Sequence, residues 1–189
     1  MFSQCNNLNL INLSHSDISS LTNMRNMFYS LSSLKSIDLS YSNLSSVTNI
    51  EGIFSQYVSL KLINLSHSDI SSLTNMKNMF YSLSNLKSVD LSYSNLSSVT
   101  SMESMFYQCS QLNSINLYHT DISSVTNMKN MFYGLSYLKS IDLSYLNLSS
   151  VTNMENMFKS CYNLELINLS HSDISSLTNM KNMASDLSY

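Results

Sequence analysis

The stretch Thr152-Asn153-Met154-Glu155-Asn156-Met157-Phe158 occurs in near-copies along the whole chain. Each copy begins 26 residues after the one before it, and the last copy has alanine in place of phenylalanine. The other copies are Thr22–Phe28, Thr48–Phe54, Thr74–Phe80, Thr100–Phe106, Thr126–Phe132 and Thr178–Ala184. A fixed period of this length is typical of a solenoid, in which one short unit stacks on the next.

The period places the repeats at starts near residues 1, 27, 53, 79, 105, 131 and 157, with a partial repeat at 183–189. Residues 1–189 therefore form a single solenoid domain in this interpretation. The terminal units carry no atypical polar cap, which solenoids generally need to shield their apolar ends. We therefore expect the chain to be a fragment of a longer array, with no signal peptide before its first repeat.

Composition narrows the class of partner. Charged residues make up only 11% of the 189 residues, and the net charge is −3. A groove for nucleic acid needs clustered lysine and arginine, so we expect no nucleic-acid partner. No apolar run approaches the roughly 20 residues that cross a bilayer, so we expect no membrane insertion by this segment.

The segment Leu34–Ser40 alternates apolar and polar residues around Ile37, which predicts a short strand. Continued to Leu44, it matches the spacing of a leucine-rich repeat, with Ser42 where asparagine or cysteine is usual. Strands stacked in register at about 4.8 Å would form a parallel sheet on one face. We expect the Ser42 hydroxyl to bond backbone groups of its own coil and of adjacent coils.

The segment Thr22–Leu31 predicts a short helix, because its apolar residues recur with helical spacing. They are Met24, Met27, Phe28 and Leu31. In alternate repeats a threonine three residues before a glutamate predicts a capping box at the start of that helix. These pairs are Thr48 and Glu51, Thr100 and Glu103, and Thr152 and Glu155.

Between the strand and the helix, Ser45–Thr48 has one apolar residue among polar ones, which fits either a second short strand or an extended arc. The predicted fold class is therefore an α/β solenoid of the leucine-rich-repeat type, with about seven repeats. It is a right-handed coil with a parallel β-sheet on one face and short helices on the other.

A longer period of 52 residues overlies the repeat. The polar strand position alternates between Asp38 and Asn64, and the following bend alternates between Tyr41 and His67. One further position alternates in sign along the chain: Arg25, Glu51, Lys77, Glu103, Lys129, Glu155 and Lys181. Identical charges stacked about 4.8 Å apart would repel, so this alternation reduces repulsion and pairs opposite charges. Duplication of a 52-residue unit explains the same pattern.

The motif at Met105-Phe106-x-x-Cys109-x-x-Leu112 and the stretch Ser150–Met154 resemble the BspA-like leucine-rich repeats of bacterial and protist surface proteins. These are also described as mycoplasma lipoprotein-associated repeats. The resemblance covers essentially the whole chain, although cysteine fills its column only at Cys5, Cys109 and Cys161. It implies a location at the cell surface or outside the cell, and a role as an adhesin that contacts host or matrix proteins.

The repeated polar residues favour structure over chemistry. The histidines recur every two coils, about 10 Å apart, so two of them cannot share one metal ion. The same distance separates Cys109 from Cys161, too far for a disulfide, so we expect buried free thiols. The copied word His67-Ser68-Asp69 lacks the pocket that a catalytic triad requires. We expect no enzyme activity, catalytic residue, metal or cofactor.

The leading hypothesis is a non-enzymatic protein-binding module. Its candidate surface is the outward strand row together with the aromatic residues at the bend, because aromatic residues anchor protein interfaces. The candidate residues are Ser36, Asp38, Ser40, Tyr41, Asn64, His67, Asp90, Tyr93, Asn116, His119, Asp142 and Tyr145. The alternative is a structural module that self-associates end to end, since open coil faces and strand edges invite stacking. The regular threonine rows give a third candidate, an ice-binding solenoid.

Overall fold

The computed structural model describes residues 7–25, 27–28, 31–50, 53–54 and 59–187. Seven three-residue strands follow one another along the chain. Paired strands run parallel, and each residue faces its counterpart in the next repeat, as Ile37 faces Ile63. The strands are β1 (Leu10–Asn12), β2 (Ser36–Asp38), β3 (Leu62–Asn64), β4 (Ser88–Asp90), β5 (Ser114–Asn116), β6 (Ser140–Asp142) and β7 (Leu166–Asn168). The fold is a parallel β-solenoid of the leucine-rich-repeat kind, as the period predicted.

The strands form two sheets. Strands β1 to β5 make one five-stranded sheet in chain order, and β6 pairs only with β7. The parallel sheet that the sequence predicted is therefore interrupted between β5 and β6.

The core consists of continuous rows of equivalent side chains. One row is a stack of phenylalanine rings, in which Phe80 and Phe106 have their centroids 5.2 Å apart and Phe106 and Phe132 5.7 Å apart. These rings are fully buried, as are the equivalent leucines at Leu60, Leu86 and Leu112. Because a single coil leaves these side chains open above and below, burial comes from stacking and the solenoid folds as an array.

The predicted helices are wrong: the described residues contain strands, bridges and turns but no helix. In the fully described copy that begins at Thr74, the chain makes two consecutive four-residue turns. The first closes with the Met79 N–H donating to Met76 O, and the second with Leu83 N–H donating to Phe80 O. The first and last residues of successive four-residue turns have the spacing i, i+3, i+4, i+7. This is why the apolar stripe resembled a helix.

Hydrogen bonds between coils explain why turns replace the helix. The N–H groups of Asn78, Phe80 and Ser82 donate to carbonyls of the next coil at 2.8–3.1 Å. Asn78 and Ser82, at the third position of each turn, have positive φ values of 57°, which no right-handed helix contains. A helix of about eight residues is marginal by itself, and it would divert these donors from the neighbouring coil.

The capping boxes are also wrong. Glu103 accepts from the Asn127 amide at 3.2 Å and pairs with Lys77 at 2.8 Å. Glu155 likewise accepts from Lys129 at 3.1 Å. Both carboxylates thus bind side chains of neighbouring coils, as the alternation of sign predicted, and each exposed pair contributes under about 1 kcal/mol. The remaining predicted box needs Glu51, which lies outside the described residues.

The bend serine behaves as predicted. The Ser42 hydroxyl donates to Leu13 O of the preceding coil at 2.6 Å, and the Ser68 hydroxyl donates to Leu65 O of its own coil at 2.6 Å. Both side chains are buried. The segment Ser45–Thr48 contains a turn and no strand, so the alternative of a second short strand is wrong.

We expect Phe106→Ala to destabilise the protein by about 3–5 kcal/mol, because a buried ring is lost from the middle of a continuous stack. Urea unfolding followed by circular dichroism measures this change. The control Tyr137→Ala removes an exposed ring and should stay within about 0.5 kcal/mol of the parent. Equal effects of the two variants would contradict the stacked core.

Candidate functional site

The aromatic residues at the bend form one row, which we call the aromatic ladder, and its rings are stacked face to face from His15 to Tyr93. Ring centroids lie 4.7 Å apart for His15 and Tyr41, 4.4 Å for Tyr41 and His67, and 4.6 Å for His67 and Tyr93. The interplanar angles in this part are 6–10°. The tyrosine side chains remain exposed, by 51% at Tyr41 and 48% at Tyr93. The members are His15, Tyr41, His67, Tyr93, His119, Tyr145 and His171.

The backbone turn at the bend holds the ladder in place. Tyr41 is the third residue of the turn closed by Ser42 N–H and Leu39 O, and its φ is 56°. Its own N–H donates to Ser66 O of the next coil at 2.9 Å. Because the first four coils repeat this conformation, the rings from His15 to Tyr93 project at nearly one spacing and in one direction from the backbone.

The polar side chains of the strand row accept hydrogen bonds from the backbone of their own coil. One carboxylate oxygen of Asp38 accepts the Ser40 N–H at 3.0 Å, and one of Asp90 accepts the Ser92 N–H at 2.9 Å. The amide oxygen of Asn64 does the same for the Ser66 N–H at 3.1 Å. Aspartate and asparagine can alternate here because the turn uses only an Oδ1 acceptor, which both provide.

The structure brings most of the predicted residues onto one surface, with one exception. Ser40 is only 6% exposed, so the prediction that it lies on the outward row is wrong. The other candidates are half-buried or exposed along the strand row and the ladder. They are Ser36, Asp38, Tyr41, Asn64, His67, Asp90, Tyr93, Asn116, His119, Asp142 and Tyr145.

The same side-chain turn marks three corners of each coil. In the third coil Asn64, Asp69 and Asn75 each accept the N–H of the residue two positions ahead, at 2.8–3.1 Å. Hydrogen bonds from Ser19, Ser144 and Ser175 lower the pKa values of Asp17, Asp142 and Asp173, respectively. These carboxylates therefore hold their turns better when ionised.

These pKa shifts predict acid sensitivity. A folded-state pKa below the ordinary value of 3.8 gives stability that is present above that value and lost as pH falls through the folded-state pKa. We expect the melting temperature to stay level between about pH 7 and about pH 5 and to fall as the pH drops below about 4. The triple change of Asp17, Asp142 and Asp173 to Asn should reduce this fall, since asparagine makes the same turn elsewhere in the chain. An equal fall in the parent and the variant would contradict this account.

Two features of the structure were not predicted from the sequence. Tyr81, Tyr107 and Tyr133 form a second stack, with centroids 4.9 and 4.6 Å apart. Their common spacing of 26 residues was the available signal. Tyr118 and Leu146 replace serine or threonine in otherwise uniform columns, and they lie where the sheet is interrupted. The sequence signal for these two residues was that each differs from the residue type that the other repeats share at its position.

The cysteines have a structural role. Cys109 and Cys161 are free and buried, as predicted. Their thiols donate to Phe80 O at 2.8 Å and to Phe132 O at 3.0 Å. Burial raises the pKa of Cys109 to about 12 and that of Cys161 to about 11, so both remain protonated at neutral pH. Cys5 lies outside the described residues.

The threonine row is also used inside the solenoid. The hydroxyls of Thr100, Thr126 and Thr152 each donate to the carbonyl of the equivalent threonine in the preceding coil, at 3.1–3.2 Å. Their N–H groups donate to the same carbonyls at 2.9 Å. This bonding joins coils to one another and favours a structural role over an ice-binding one.

Among the described residues, there is no group of three or more histidine, cysteine, aspartate or glutamate side chains that could hold a metal ion. That part of the chain also contains no helix of the length and apolarity needed to span a bilayer.

Comparison with known proteins gives a family. The profile of the family described as "Mycoplasma protein of unknown function, DUF285" matches residues 1–117 and 100–188. No curated protein sequence matches the chain.

Two solved structures are similar to this one. A leucine-rich repeat protein from Bacteroides ovatus ATCC 8483 is 22% identical, with a TM-score of 0.40, over 87% of this chain and 49% of its own. The structure of TLR13 in a complex with ssRNA13 is 17% identical, with a TM-score of 0.41, over 87% of this chain and 33% of its own. The chain thus spans about a third to a half of the length of these proteins.

Proposed function

We propose that this chain, which belongs to the DUF285 family of Mycoplasma proteins of unknown function and to the BspA-like leucine-rich repeats, is a non-enzymatic protein-binding module. We place it in a cell-surface adhesin that contacts host or matrix proteins, as the resemblance implies. The repeat solenoid supports the general role, because stacked repeats present extended, regular surfaces to protein partners.

The exposed aromatic ladder is the observation that carries the proposal. Tyrosine provides a large apolar contact with a polar tip and only two side-chain rotations to restrict. In the ladder each ring already rests on its neighbours, for example Tyr41 between His15 and His67. Such a row loses little conformational entropy on binding, which favours affinity. Polar strand residues border it and supply hydrogen-bonding groups at its rim.

Two observations support the part of the proposal that says the module is not an enzyme. The cysteines are buried and protonated, and the Asp and Asn side chains of the strand row are bonded to turn N–H groups. An enzyme site needs an activated group held against a substrate pocket. The ladder instead offers a flat, repeated surface, which suits contact with another macromolecule.

We expect the triple change of Tyr41, Tyr93 and Tyr145 to Asn to weaken binding to purified extracellular-matrix proteins by at least about tenfold, since interface tyrosines are frequent energetic anchors. Asparagine tolerates the left-handed backbone at this bend, so the fold should persist. Surface plasmon resonance against a panel of such proteins measures the change.

A matched control changes Tyr81, Tyr137 and Tyr162 to Asn. These tyrosines are also about half exposed but lie outside the ladder. They should leave binding unchanged. If the ladder variant keeps its fold by circular dichroism and binds as the parent does, the ladder is not the interface.

Self-association is the second candidate, and one observation favours it. The last described coil exposes Met180 by 50%, whereas the equivalent Met154 of the preceding coil is buried. Ile174 is also exposed in that coil, while its counterpart Ile122 is buried. A second copy stacked on this coil would cover these side chains and add a strand to β7.

Under this candidate we expect sedimentation coefficients to rise with concentration, and the double change of Ile174 and Met180 to Lys to abolish the rise. Charged groups on a stacking face oppose association because their desolvation is costly. The control Leu62→Lys alters an exposed residue of the strand row and should leave association intact. A concentration-independent monomer would exclude end-to-end assembly.

A further inference from the structure

The junction between residues 113–122 and 139–148, which we call the seam, lacks the hydrogen bonds that close the neighbouring junction. Between β4 and β5, Leu91 N–H donates to Asn116 O and Tyr93 N–H donates to Tyr118 O, both at 2.9 Å. At the seam the equivalent donors, Leu117 and His119, have no such backbone partner within the described residues. The paired bridge between Asn95 and Asp121 also has no counterpart one coil further on.

Two departures from the repeat coincide with the seam. Tyr118 stands in a column that otherwise holds serine, and Leu146 stands in one that otherwise holds serine or threonine. At the preceding junction the Thr120 hydroxyl donates to Leu91 O at 2.8 Å. Leu146 is buried at the corresponding place but has no hydroxyl to donate. Tyr145, next to it, is the ladder member without a positive φ.

The coils remain joined on their opposite side. The Phe106 N–H donates to Met131 O at 2.9 Å, and Gln108 N–H donates to Tyr133 O at 2.8 Å. The seam therefore opens along the strand face and the bend, where it leaves a cleft of about 240 Å³. Ile115, at the centre of β5, is partly exposed there, while Val89 at the centre of β4 is buried. The cleft is lined by Ile115, Asn116, Leu117, Tyr118, Asp142, Tyr145 and Leu146.

The width of the cleft decides what can enter it. An inserted strand would separate β5 from β6 by two strand spacings, about 9.6 Å. The rings of Tyr118 and Tyr145 instead meet edge to face at 5.0 Å, and those of His119 and Tyr145 lie 5.7 Å apart. These ring contacts close the bend to an inserted strand, so we match the cleft to a single side chain and not to a peptide backbone.

The lining selects the chemistry of that side chain. Ile115, Leu117 and Leu146 make an apolar floor, and the Tyr118 and Tyr145 rings stand exposed at the mouth. Asp142 lies among them and makes no ion pair within the described residues. A side chain with a long apolar stem and a planar cationic end suits this lining. Its stem packs on the apolar floor, and its cation stacks on the tyrosine rings and binds the carboxylate.

The local charge and the free backbone carbonyls at the seam both favour a cation as the bound group. The two segments of the seam contain Asp121 and Asp142 against the single Lys139. Opening also frees the carbonyls of Asp142 and Ser144, which would accept from Leu117 and His119 in a closed junction. A guanidinium group carries five N–H donors and no acceptor, so it can use carbonyls and carboxylate together.

We propose that the seam is a specificity pocket that receives an arginine side chain of the partner protein. The inference rests on the proposed protein-binding function and names the chemistry of one anchor of that partner. The pocket adjoins the aromatic ladder through His119 and Tyr145, so a partner lying along the ladder reaches it without leaving the surface.

The probe for this test is N-acetyl-L-arginine N-methylamide, titrated into the isotope-labelled protein and followed by amide chemical shifts. We expect shifts confined to the seam, with Leu117 and His119 among the largest. The uncharged citrulline analogue should bind at least about tenfold more weakly, because a charge-assisted hydrogen bond to Asp142 is lost. Binding of the lysine analogue as tight as that of the arginine analogue would overturn the preference for a guanidinium.

Matched variants test the assignment to Asp142. Asp142→Asn keeps the turn, as Asn116 and Asn168 do in the adjacent coils, and should weaken probe binding by about tenfold. Asp38→Asn makes the same change at β2, where the sheet is closed, and should leave binding unchanged. Equal affinity of the Asp142 variant and the parent would overturn the proposal.

A sealing variant tests the cleft itself. Tyr118→Ser with Leu146→Ser restores the residues of the closed junctions. We expect the Leu117 and His119 amides to exchange with solvent at least about tenfold more slowly than in the parent, and probe binding to disappear. Persistent binding in a variant whose amides have become protected would overturn the pocket.

The two levels of the proposal fail separately. If the arginine probe does not bind but the tyrosine changes in the ladder still abolish binding to matrix proteins, the pocket is rejected and the protein-binding role stands. If the probe binds at the seam and no matrix protein binds the ladder, the pocket stands and the adhesin role is rejected.

Discussion

Backbone hydrogen bonds between equivalent positions of adjacent coils are the constraint on which the solenoid depends. At the strand, the bend and the paired turns, N–H groups such as Tyr41, Asn78 and Phe80 donate to carbonyls of the next coil. These bonds require neighbouring coils to share one backbone path. A coil that departed from this path would leave buried polar groups without hydrogen-bond partners, which is costly. This explains why the repeat is so regular.

Side chains adapt each coil to that shared path. Aspartate and asparagine shape three corners by accepting the N–H two residues ahead, as Asn64, Asp69 and Asn75 do. Serine hydroxyls at the bend satisfy carbonyls between coils, and stacked phenylalanines fill the interior. The corners fix the direction of the bend, so the aromatic ladder follows from the same bonds that close the coil. The exposure of the ladder therefore needs no separate loop.

The seam shows how function can arise where a repeat is broken. Uniform columns give uniform surfaces, which offer one contact repeated many times and no unique register for a partner. Tyr118 and Leu146 depart from their columns where the sheet is interrupted between β5 and β6, and an aspartate lies there beside two tyrosine rings. In our proposal, a pocket at this break supplies the register that the ladder lacks.

The sequence by itself determined the period, the strands, the buried rows and the stacking of like on like, because those depend on which side chains recur every 26 residues. The helices it predicted are wrong in the fully described copies, such as the one that begins at Thr74, since two successive four-residue turns place apolar residues with helical spacing. Only the tertiary structure decided between them, because the donors of Asn78 and Phe80 find their acceptors in the next coil. The burial of Ser40 and the opening of the seam were likewise decided by the tertiary structure, since both depend on contacts between coils that a single repeat does not contain.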